Sequence, residues 1–350
     1  MYKGTGISKD QLSDDGEPCI LYGELYTKYK SETIREVISK TNINNTKLVK
    51  SKANDVIIPC SGETAEDIAT ARCVLNGNIL LGGDLNIIRL HGYDGAFMSY
   101  QLNGRRKYDI AKVAQGVSVV HLYGEHLKGV KTINPCLEEQ KKIAKLLSLL
   151  DERIATQNKI IEDLKKLKSA ISHILFSSKG AIHLSEIANV VMGQSPSSNA
   201  YNDQGLGMPL VQGNLDISNG KTTPRLYTAE FNQTTEKGNI ILTVRAPVGE
   251  VAKATQKVCL GRGVCAIIPH EENMSDFIYQ YLTFYKFMWR RYEQGSTFTS
   301  INGSDVRNIF CPKVRNVSIL TLLDIKINIE ERVVKQYQSQ KQYMLYQMFI

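Results

Sequence analysis

Leu146-Leu-Ser-Leu-Leu-Asp-Glu-Arg-Ile154 and Ile319-Leu-Thr-Leu-Leu-Asp-Ile-Lys-Ile327 are two versions of one sequence, 173 residues apart. The same offset, without a gap, carries Asp151 to Asp324, Lys168 to Lys341 and Phe176 to Phe349. From Leu137 to about Ser178 there is neither Gly nor Pro. A seam recurs there at alternating spacings of four and three, apolar at eight of its ten positions: Ile143, Leu147, Leu150, Ile154, Gln157, Ile161, Leu164, Lys168, Ile171 and Leu175. Such a seam predicts a coiled-coil helix, and at ~1.5 Å per residue ~40 residues make a rod of roughly 60 Å. Shifted by 173, the seam becomes Leu320, Leu323, Ile327, Glu330, Val334, Tyr337, Lys341, Met344 and Met348. Its polar interruptions fall at the same two places, Gln157/Glu330 and Lys168/Lys341. A helix with a one-sided apolar seam must find a partner, and the matched one is the other copy.

Working outward, the repeat extends into the flanking regions. Leu81-Gly-Gly-Asp-Leu-Asn-Ile-Ile88 matches Leu260-Gly-Arg-Gly-Val-Cys-Ala-Ile267 at an offset of 179, which also sets Gln115-Gly116 on Gln294-Gly295 and Gly124 on Gly303. A weaker pair is Pro18-Cys-Ile-Leu-Tyr-Gly23 and Pro209-Leu-Val-Gln-Gly213. The chain reads as a tandem duplication, globular-helix-globular-helix. The globular parts carry short β-branched runs punctuated by Gly: Val56–Ile58, Gly77–Leu81, Leu85–Ile88, Val117–Val120, Asn239–Val244 and Val264–Ile268. Ser275 to Arg291 is the best helix candidate among them. The expected class is α+β: two mixed α/β domains separated by two long helices packed as an antiparallel coiled coil.

The 350 residues exceed one ordinary core and fit two domains. With 42% hydrophobic and 22% charged residues, the composition excludes collagen-like, mucin-like and wholly disordered chains. Met1 to Gly6 has no apolar core of the kind a signal peptide needs, and no apolar run reaches the ~18–20 residues of a membrane helix. The seven cysteines are odd in number and form no Cys-x-x-Cys pair. Reduced, mostly buried thiols in a cytoplasm are expected, without disulfides or a zinc site. A net charge of +8 permits a polyanionic partner without demanding one.

Catalytic constellations are absent. Glu139-Gln-Lys141 imitates part of a nuclease site, but Pro135 followed by acidic residues is the ordinary opening of a helix whose dipole favours them. His121 and His126 are five apart, not the four that place two metal ligands on one helical face. Gly82-Gly83 and Gly261-Arg-Gly263 are too short for a nucleotide loop and read as turns. What remains is suited to nucleic acid: Arg105-Arg106-Lys107 followed by Tyr108, Gln115, Arg245, Lys253 and Arg262, with Trp289-Arg-Arg-Tyr292 at a helix end. The loops Gly193-Gln194-Ser195-Pro-Ser-Ser198 and Gln294-Gly-Ser296-Thr297-Phe-Thr-Ser300 add small donors. Arg and Lys suit phosphates and guanine, and Asn or Gln suit adenine.

Pro135-Cys-Leu-Glu-Glu-Gln-Lys-Lys-Ile-Ala144, then Leu-Leu-Asp151-x-x-Ile154 and a long helix ending Ile174-Leu-Phe176, resembles the central conserved region of specificity subunits of bacterial type I restriction-modification systems. Met192-Gly-Gln-Ser-Pro-Ser-Ser198, Pro209-Leu-Val-Gln-Gly-Asn214 and Val244-Arg-Ala-Pro-Val-Gly249 resemble the opening and middle of a target recognition domain in that family. The resemblance covers essentially the whole chain. It implies a first recognition domain over 1–134, a helical spacer over 135–180, a second recognition domain over 181–312 and a C-terminal helix over 313–350. It further implies a non-catalytic subunit whose two domains each read half of a split double-stranded DNA site. Two modification subunits would dock on the helices around Leu147, Leu150, Asp151, Ile154 and Lys168, and around Leu320, Leu323, Asp324, Ile327 and Lys341. Two restriction subunits would join them. S-adenosylmethionine, ATP and Mg2+ would sit on those partners, and no cofactor or metal on this chain. The rival readings are a coiled-coil scaffold with β-rich heads and a fused methyltransferase or nuclease. The fused methyltransferase would need a Pro-Pro motif that occurs nowhere here.

Two departures from the pattern carry expectations. Pro312 to Ser318 is four residues shorter than Pro135 to Lys145 and lacks the Glu-Glu-Gln stretch, which would alter docking at that end. Aligned on Gly23 and Gly213, Met1 falls beside Met192, so the first domain lacks a counterpart of His183–Met192 and is expected to be the less stable half.

Overall fold

The computed structural model describes residues 1–43, 47–177, 182–291, 300–313 and 316–349. Four helices carry the argument: α1 (Gly95–Asn103), α2 (Leu137–Phe176), α3 (Ser275–Tyr285) and α4 (Ser318–Gln347). The chain divides into two compact units. Unit 1 comprises Met1–Lys159 and Glu331–Ile350, and unit 2 comprises Ile160–Glu330. Each unit therefore holds one half of α2 and one half of α4.

In unit 1 a five-stranded sheet runs Tyr2–Lys3, Leu85–Ile88, Asp55–Pro59, Arg72–Val74, Thr33–Ile34. A second runs Leu12–Ser13, Ser39–Thr41, Glu17–Ile20, Leu80–Leu81, Val49–Lys50. Unit 2 repeats the plan. Its six-stranded sheet runs Ala188–Met192, Val264–Pro269, Ile240–Thr243, Val251–Lys253, Lys221–Thr222, Ile217–Ser218. Its five-stranded sheet runs Tyr201–Asn202, Leu226–Thr228, Met208–Val211, Val258–Leu260, Thr234–Thr235. The registers correspond pair by pair. Leu80 lies against Cys19 and Leu81 against Ile20 in parallel, as Cys259 does against Leu210 and Leu260 against Val211. Tyr2 faces Ile87 and Lys3 faces Asn86, as Val191 faces Ala266 and Met192 faces Cys265. Tyr2–Lys3 is thus the counterpart of the last two residues of Ala188–Met192.

Two expected strands are shortened. Gln115 exchanges both backbone hydrogen bonds with His121, which closes residues 116–120 into a loop with Gly116 at φ 124°. Only Val120–His121 pairs as a strand, and Val117 is 97% exposed. In Gly77–Leu81, Ser51 captures the amides of Asn78 and Ile79, leaving Leu80–Leu81 for the sheet. Helix α1, absent from the sequence reading, starts where the Asp94 carboxylate accepts the Phe97 amide at 2.8 Å. It is buried on nearly every side, so it offers no one-sided apolar stripe to find. Helix α3 stops at Tyr285, and a 3-10 turn over Lys286–Arg291 follows with Trp289 fully buried.

Every seam position named from the sequence is buried or half-buried, and all lie on α2 or α4 except Met348, one residue past the end of α4. In unit 1, Ala144 and Leu147 pack with Leu345 and Phe349, and the rings of Phe97 and Phe349 meet edge-on at 5.3 Å. In unit 2, Phe176 packs against Phe277, Tyr281 and Phe284, in the same core as Leu320. Within each unit the early part of one helix meets the late part of the other, so the segments are antiparallel. Glu138 and Glu139 occupy the first turn of α2, as the helix dipole favours.

The faces of α2 give a direct test. Leu147 is fully buried, whereas its neighbour Leu146 is 43% exposed. Leu147→Ala is expected to cost about 2–5 kcal/mol in denaturant unfolding, and Leu146→Ala no more than about 0.5 kcal/mol.

Candidate functional site

One end of the unit 2 sheets gathers four loops through main-chain hydrogen bonds. The amide of Gly193 donates to the Val264 carbonyl and that of Gln194 to the Leu260 carbonyl, each at 2.9 Å. Val244 donates to Gly263 at 2.9 Å, Ile301 donates to Val244 at 3.0 Å, and Arg245 bridges Ser300. The Arg262 amide donates to the Ser195 hydroxyl at 3.0 Å. Gln194, Ser195, Arg245 and Arg262, found separately in the sequence, therefore share one site. Gln194, Arg245 and Arg262 are exposed. Gly193 is required there, because a Cβ on it would lie 2.1 Å from the Gly261 carbonyl oxygen. Gln294, Ser296 and Thr297 lie outside the described residues.

Unit 1 builds the same frame with other side chains. Gly4 donates to Leu85 at 3.0 Å and Thr5 to Leu81 at 3.2 Å; Cys60 donates to Asp84 at 2.7 Å and Leu122 to Cys60 at 2.8 Å. Ser61 pairs with His121 as Arg245 does with Ser300. A Cβ on Gly4 would lie 1.9 Å from the Gly82 carbonyl oxygen, the counterpart of the clash at Gly193. Thr5, Gly6, Ser61, Gly83 and His121 thus stand where Gln194, Ser195, Arg245, Arg262 and Ser300 stand in unit 2. Gln115, exposed and bonded to His121, belongs to this end. Of this set the sequence points only to Gln115. For the others the signal was Lys3-Gly4-Thr-Gly-Ile-Ser8 against Met192-Gly193-Gln-Ser-Pro-Ser197, which shares only Gly and Ser.

The remaining basic candidates are engaged within their units. Lys253 is half-buried, paired with Asp276 and placed 5.5 Å over the Tyr279 ring. Arg105 lies 5.7 Å over the ring of Tyr346 on α4, Arg106 reaches Asp109 at 3.4 Å, and Lys107 is half-buried. Burial, with Arg72 nearby, pushes the Lys107 ammonium below its usual pKa.

The seam lysines form a second, duplicated constellation. In unit 2, Lys168 donates to Asp324 at 2.6 Å, and the Gln280 amide of α3 donates to the other Asp324 oxygen at 2.7 Å. In unit 1, Lys341 pairs with Asp151, and the hydroxyls of Tyr100 on α1 and Ser31 donate to that carboxylate at 2.7 and 2.8 Å. Lys341 also contacts Glu32. Burial outweighs the attraction of Lys341 and, with Asp151 close by, holds the Glu32 carboxyl above its usual 4.5. Among the described residues no group of three or more His, Cys, Asp or Glu could hold a metal ion. Six of the seven cysteines are buried, and burial pushes the Cys265 and Cys311 thiols up to about 12. No helix of the described residues is long and apolar enough to cross a membrane.

Comparison with known proteins gives one consistent result. The family model described as type I restriction modification DNA specificity domain matches residues 3–166 and 180–336. The putative type I restriction enzyme MjaX specificity subunit of Methanocaldococcus jannaschii is 36% identical over 208 residues, which are 53% of this chain and 49% of that protein. The MjaVIII specificity subunit of the same organism is 28% identical over 176 residues, 50% of this chain and 39% of that protein. The chain thus spans about half the length, or less, of these curated relatives. The crystal structure of a type I restriction-modification S subunit from M. genitalium shares the fold with a TM-score of 0.66. It is 21% identical, with 100% of this chain and 93% of that one covered. A structure described under complex assembly and conformational transition of the type I R-M system gives a TM-score of 0.57 at 21% identity, over 90% of this chain and 86% of that one.

The raised Glu32 pKa has a pH consequence. Between the unfolded value near 4.5 and the higher folded value, the folded chain binds more protons than the unfolded one. Stability contributed by this group therefore falls as pH rises through that window. Glu32→Gln removes the dependence, so Tm of the variant minus Tm of the parent is expected to increase with pH from 4.5 upward. A difference that stays flat would show that Glu32 does not titrate there.

Proposed function

The chain belongs to the type I restriction modification DNA specificity family, and from that premise we propose that it is a non-catalytic reader of double-stranded DNA. Each unit reads one half of a bipartite site through its four-loop end. In unit 2 the contacting groups are Gln194, Ser195, Arg245 and Arg262; in unit 1 they are Thr5, Gln115 and His121. The observation that carries this reading is the repeated frame. Two sets of loops are fixed by equivalent main-chain bonds, yet they present different side chains to the outside. Such a pair suits the recognition of two different sequences in one geometry, with the base-edge contacts supplied by Arg and Gln. Lys253 and Arg105–Lys107 act within the fold and support these readers instead of touching bases.

The helices supply the docking surface in this proposal. Leu146 and Leu149 on α2 are 43% and 44% exposed, and their counterparts Ile319 and Leu322 on α4 are 49% and 64% exposed. A duplicated exposed apolar pair fits two copies of one partner, the modification subunit. Methyl transfer from S-adenosylmethionine would then reside on those subunits. ATP- and Mg2+-dependent cleavage would reside on restriction subunits joined to them, the whole acting in the cytoplasm. The domain division follows the same proposal, with recognition domains over 1–134 and 181–312 and helical regions over 135–180 and 313–350.

Two measurements test this. In a gel shift with the modification subunit present, Arg262→Ala and Arg245→Ala are each expected to weaken binding by about 1–3 kcal/mol if they read a base. They should relax only one half of the methylated site, as mapped by sequencing methylated DNA. Relaxation of both halves, or of neither, overturns the one-unit, one-half-site assignment. Separately, Leu149→Asp with Leu322→Asp is expected to abolish co-purification of the modification subunit while leaving Tm nearly unchanged. Retained assembly would remove the helices as its dock.

A further inference from the structure

One loop at the four-loop end of unit 1 carries its apolar side chains on the outside. Gln115 and His121 exchange both main-chain hydrogen bonds, at 2.9 and 2.7 Å, and so pin the two ends of residues 116–120. Inside that ring Gly116 holds a φ of 124°, and a Cβ on it would lie 2.1 Å from the Val119 carbonyl oxygen. One flank is anchored by Val120, which is buried in the unit 1 core, and the other by Val113 and Ala114, which pack against the same core. Pairing of Val120 and His121 with Gly62 and Ser61 joins the loop to the rest of that end, and the His121 ring stacks on Tyr123 at 6.2 Å. The main chain thus fixes the tip, yet Val117 is 97% exposed and Val119 52% exposed.

A valine side chain left in water adds no burial to the fold. Its place matters instead. Val117 stands between Gln115 and His121, the two exposed groups through which this loop is proposed to contact DNA. The 179-residue repeat keeps Gln115-Gly116 as Gln294-Gly295 but sets Val117 on Ser296. The two copies share the residues that shape the loop and differ at its tip, as Gly83 differs from Arg262. Among the groups that distinguish base pairs in the major groove one is apolar, the C5-methyl of thymine. Phosphate oxygens offer an aliphatic side chain nothing, and an amino or carbonyl edge covered by valine would lose its water without gaining a hydrogen bond.

We infer that Val117 is a specificity-determining residue of unit 1, selecting a T·A pair in its half-site by packing on the thymine C5-methyl. This inference rests on the DNA-reading proposal and names one base pair within it. Gln115 and His121 contact the neighbouring hydrogen-bonding groups, and Val117 rejects cytosine, which has no methyl to cover.

The test uses the full chain assembled with the modification subunit, and duplexes carrying the site that this complex methylates. The thymines of one half-site at a time are replaced by deoxyuridine, which keeps every hydrogen-bonding group and removes only the methyl. In one half the parent is expected to prefer thymine over uracil by about fourfold, the worth of one buried apolar carbon. Val117→Ser is expected to abolish that preference in that half alone, with Tm nearly unchanged because the side chain packs on nothing in the free chain. Val119→Ser is expected to retain it. A preference missing from the parent in both halves, or surviving Val117→Ser in both, overturns the inference and leaves the DNA-reading proposal standing. A parent complex that binds no duplex selectively overturns both.

Discussion

A lysine ammonium placed on an apolar seam must be paired, because removing its charge from water costs several kcal/mol unless a partner and further hydrogen bonds compensate. Lys168 and Lys341 meet that requirement through Asp324 and Asp151. Register follows from it. A slip of one turn along either antiparallel segment would set a lysine against leucine and leave an aspartate facing aliphatic side chains. The buried leucines on either side would tolerate such a slip far better, since one aliphatic layer resembles the next. The ion pairs also tie the helices to the β-rich parts. The carboxylate that receives the lysine receives Gln280 from α3 in unit 2 and Tyr100 from α1 in unit 1. One interaction thus fixes the two long helices against each other and against the neighbouring helix, α3 or α1, in each unit.

The two versions of this contact differ in burial. In unit 1 the side chains of Lys341, Asp151 and Glu32 are only 9–12% exposed, against 18% and 31% for Lys168 and Asp324. The unit 1 version carries a second carboxylate and therefore needs a second cation. Arg72 lies close enough to bear on the Glu32 carboxyl, while donating hydrogen bonds to the carbonyls of Leu25 and Tyr29. Ala252 is its counterpart in unit 2 by strand register. The duplication has kept the charge pair on the helices and changed the shell around it.

The sequence made the helices legible because their constraint is periodic and side-chain based. The ten seam positions on α2, named from spacing, and the nine that the 173-residue shift places on and just past α4 are all buried or half-buried. The duplication was legible for the same reason, since Asp151/Asp324 and Lys168/Lys341 hold the same ion pair in both units. The loop ends were much less so. Their frame is made of main-chain hydrogen bonds, which leave almost no trace in side-chain identity beyond Gly4 and Gly193, where a carbonyl oxygen approaches too closely for a Cβ. Lys253 shows the opposite difficulty. Its counterpart in strand register is Cys73, so no repeat signal marks it, and its ammonium is held by Asp276 over Tyr279 only through the fold. Helix α1 escaped notice because burial on all sides erases amphipathic periodicity.

A main-chain frame also explains how two such units come to differ where they meet a ligand. Ser61 stands in the position of Arg245, and Gly83 in that of Arg262. At Ser61 and Arg245 it is the backbone that pairs the loops, with His121 and Ser300 respectively. Ser61 is buried and donates to Asp84, whereas Arg245 and Arg262 are exposed. Exchange of the two arginine side chains removes no buried packing and breaks no ladder bond, so its cost in stability stays within the ~0.5 kcal/mol typical of exposed sites. The same exchange alters donors facing outward by a full charge. Stability and recognition therefore rest on different atoms of the same residues. Under the proposed DNA-reading role, sequence preference can change one half-site at a time while the seam, its ion pairs and the sheets remain as they are.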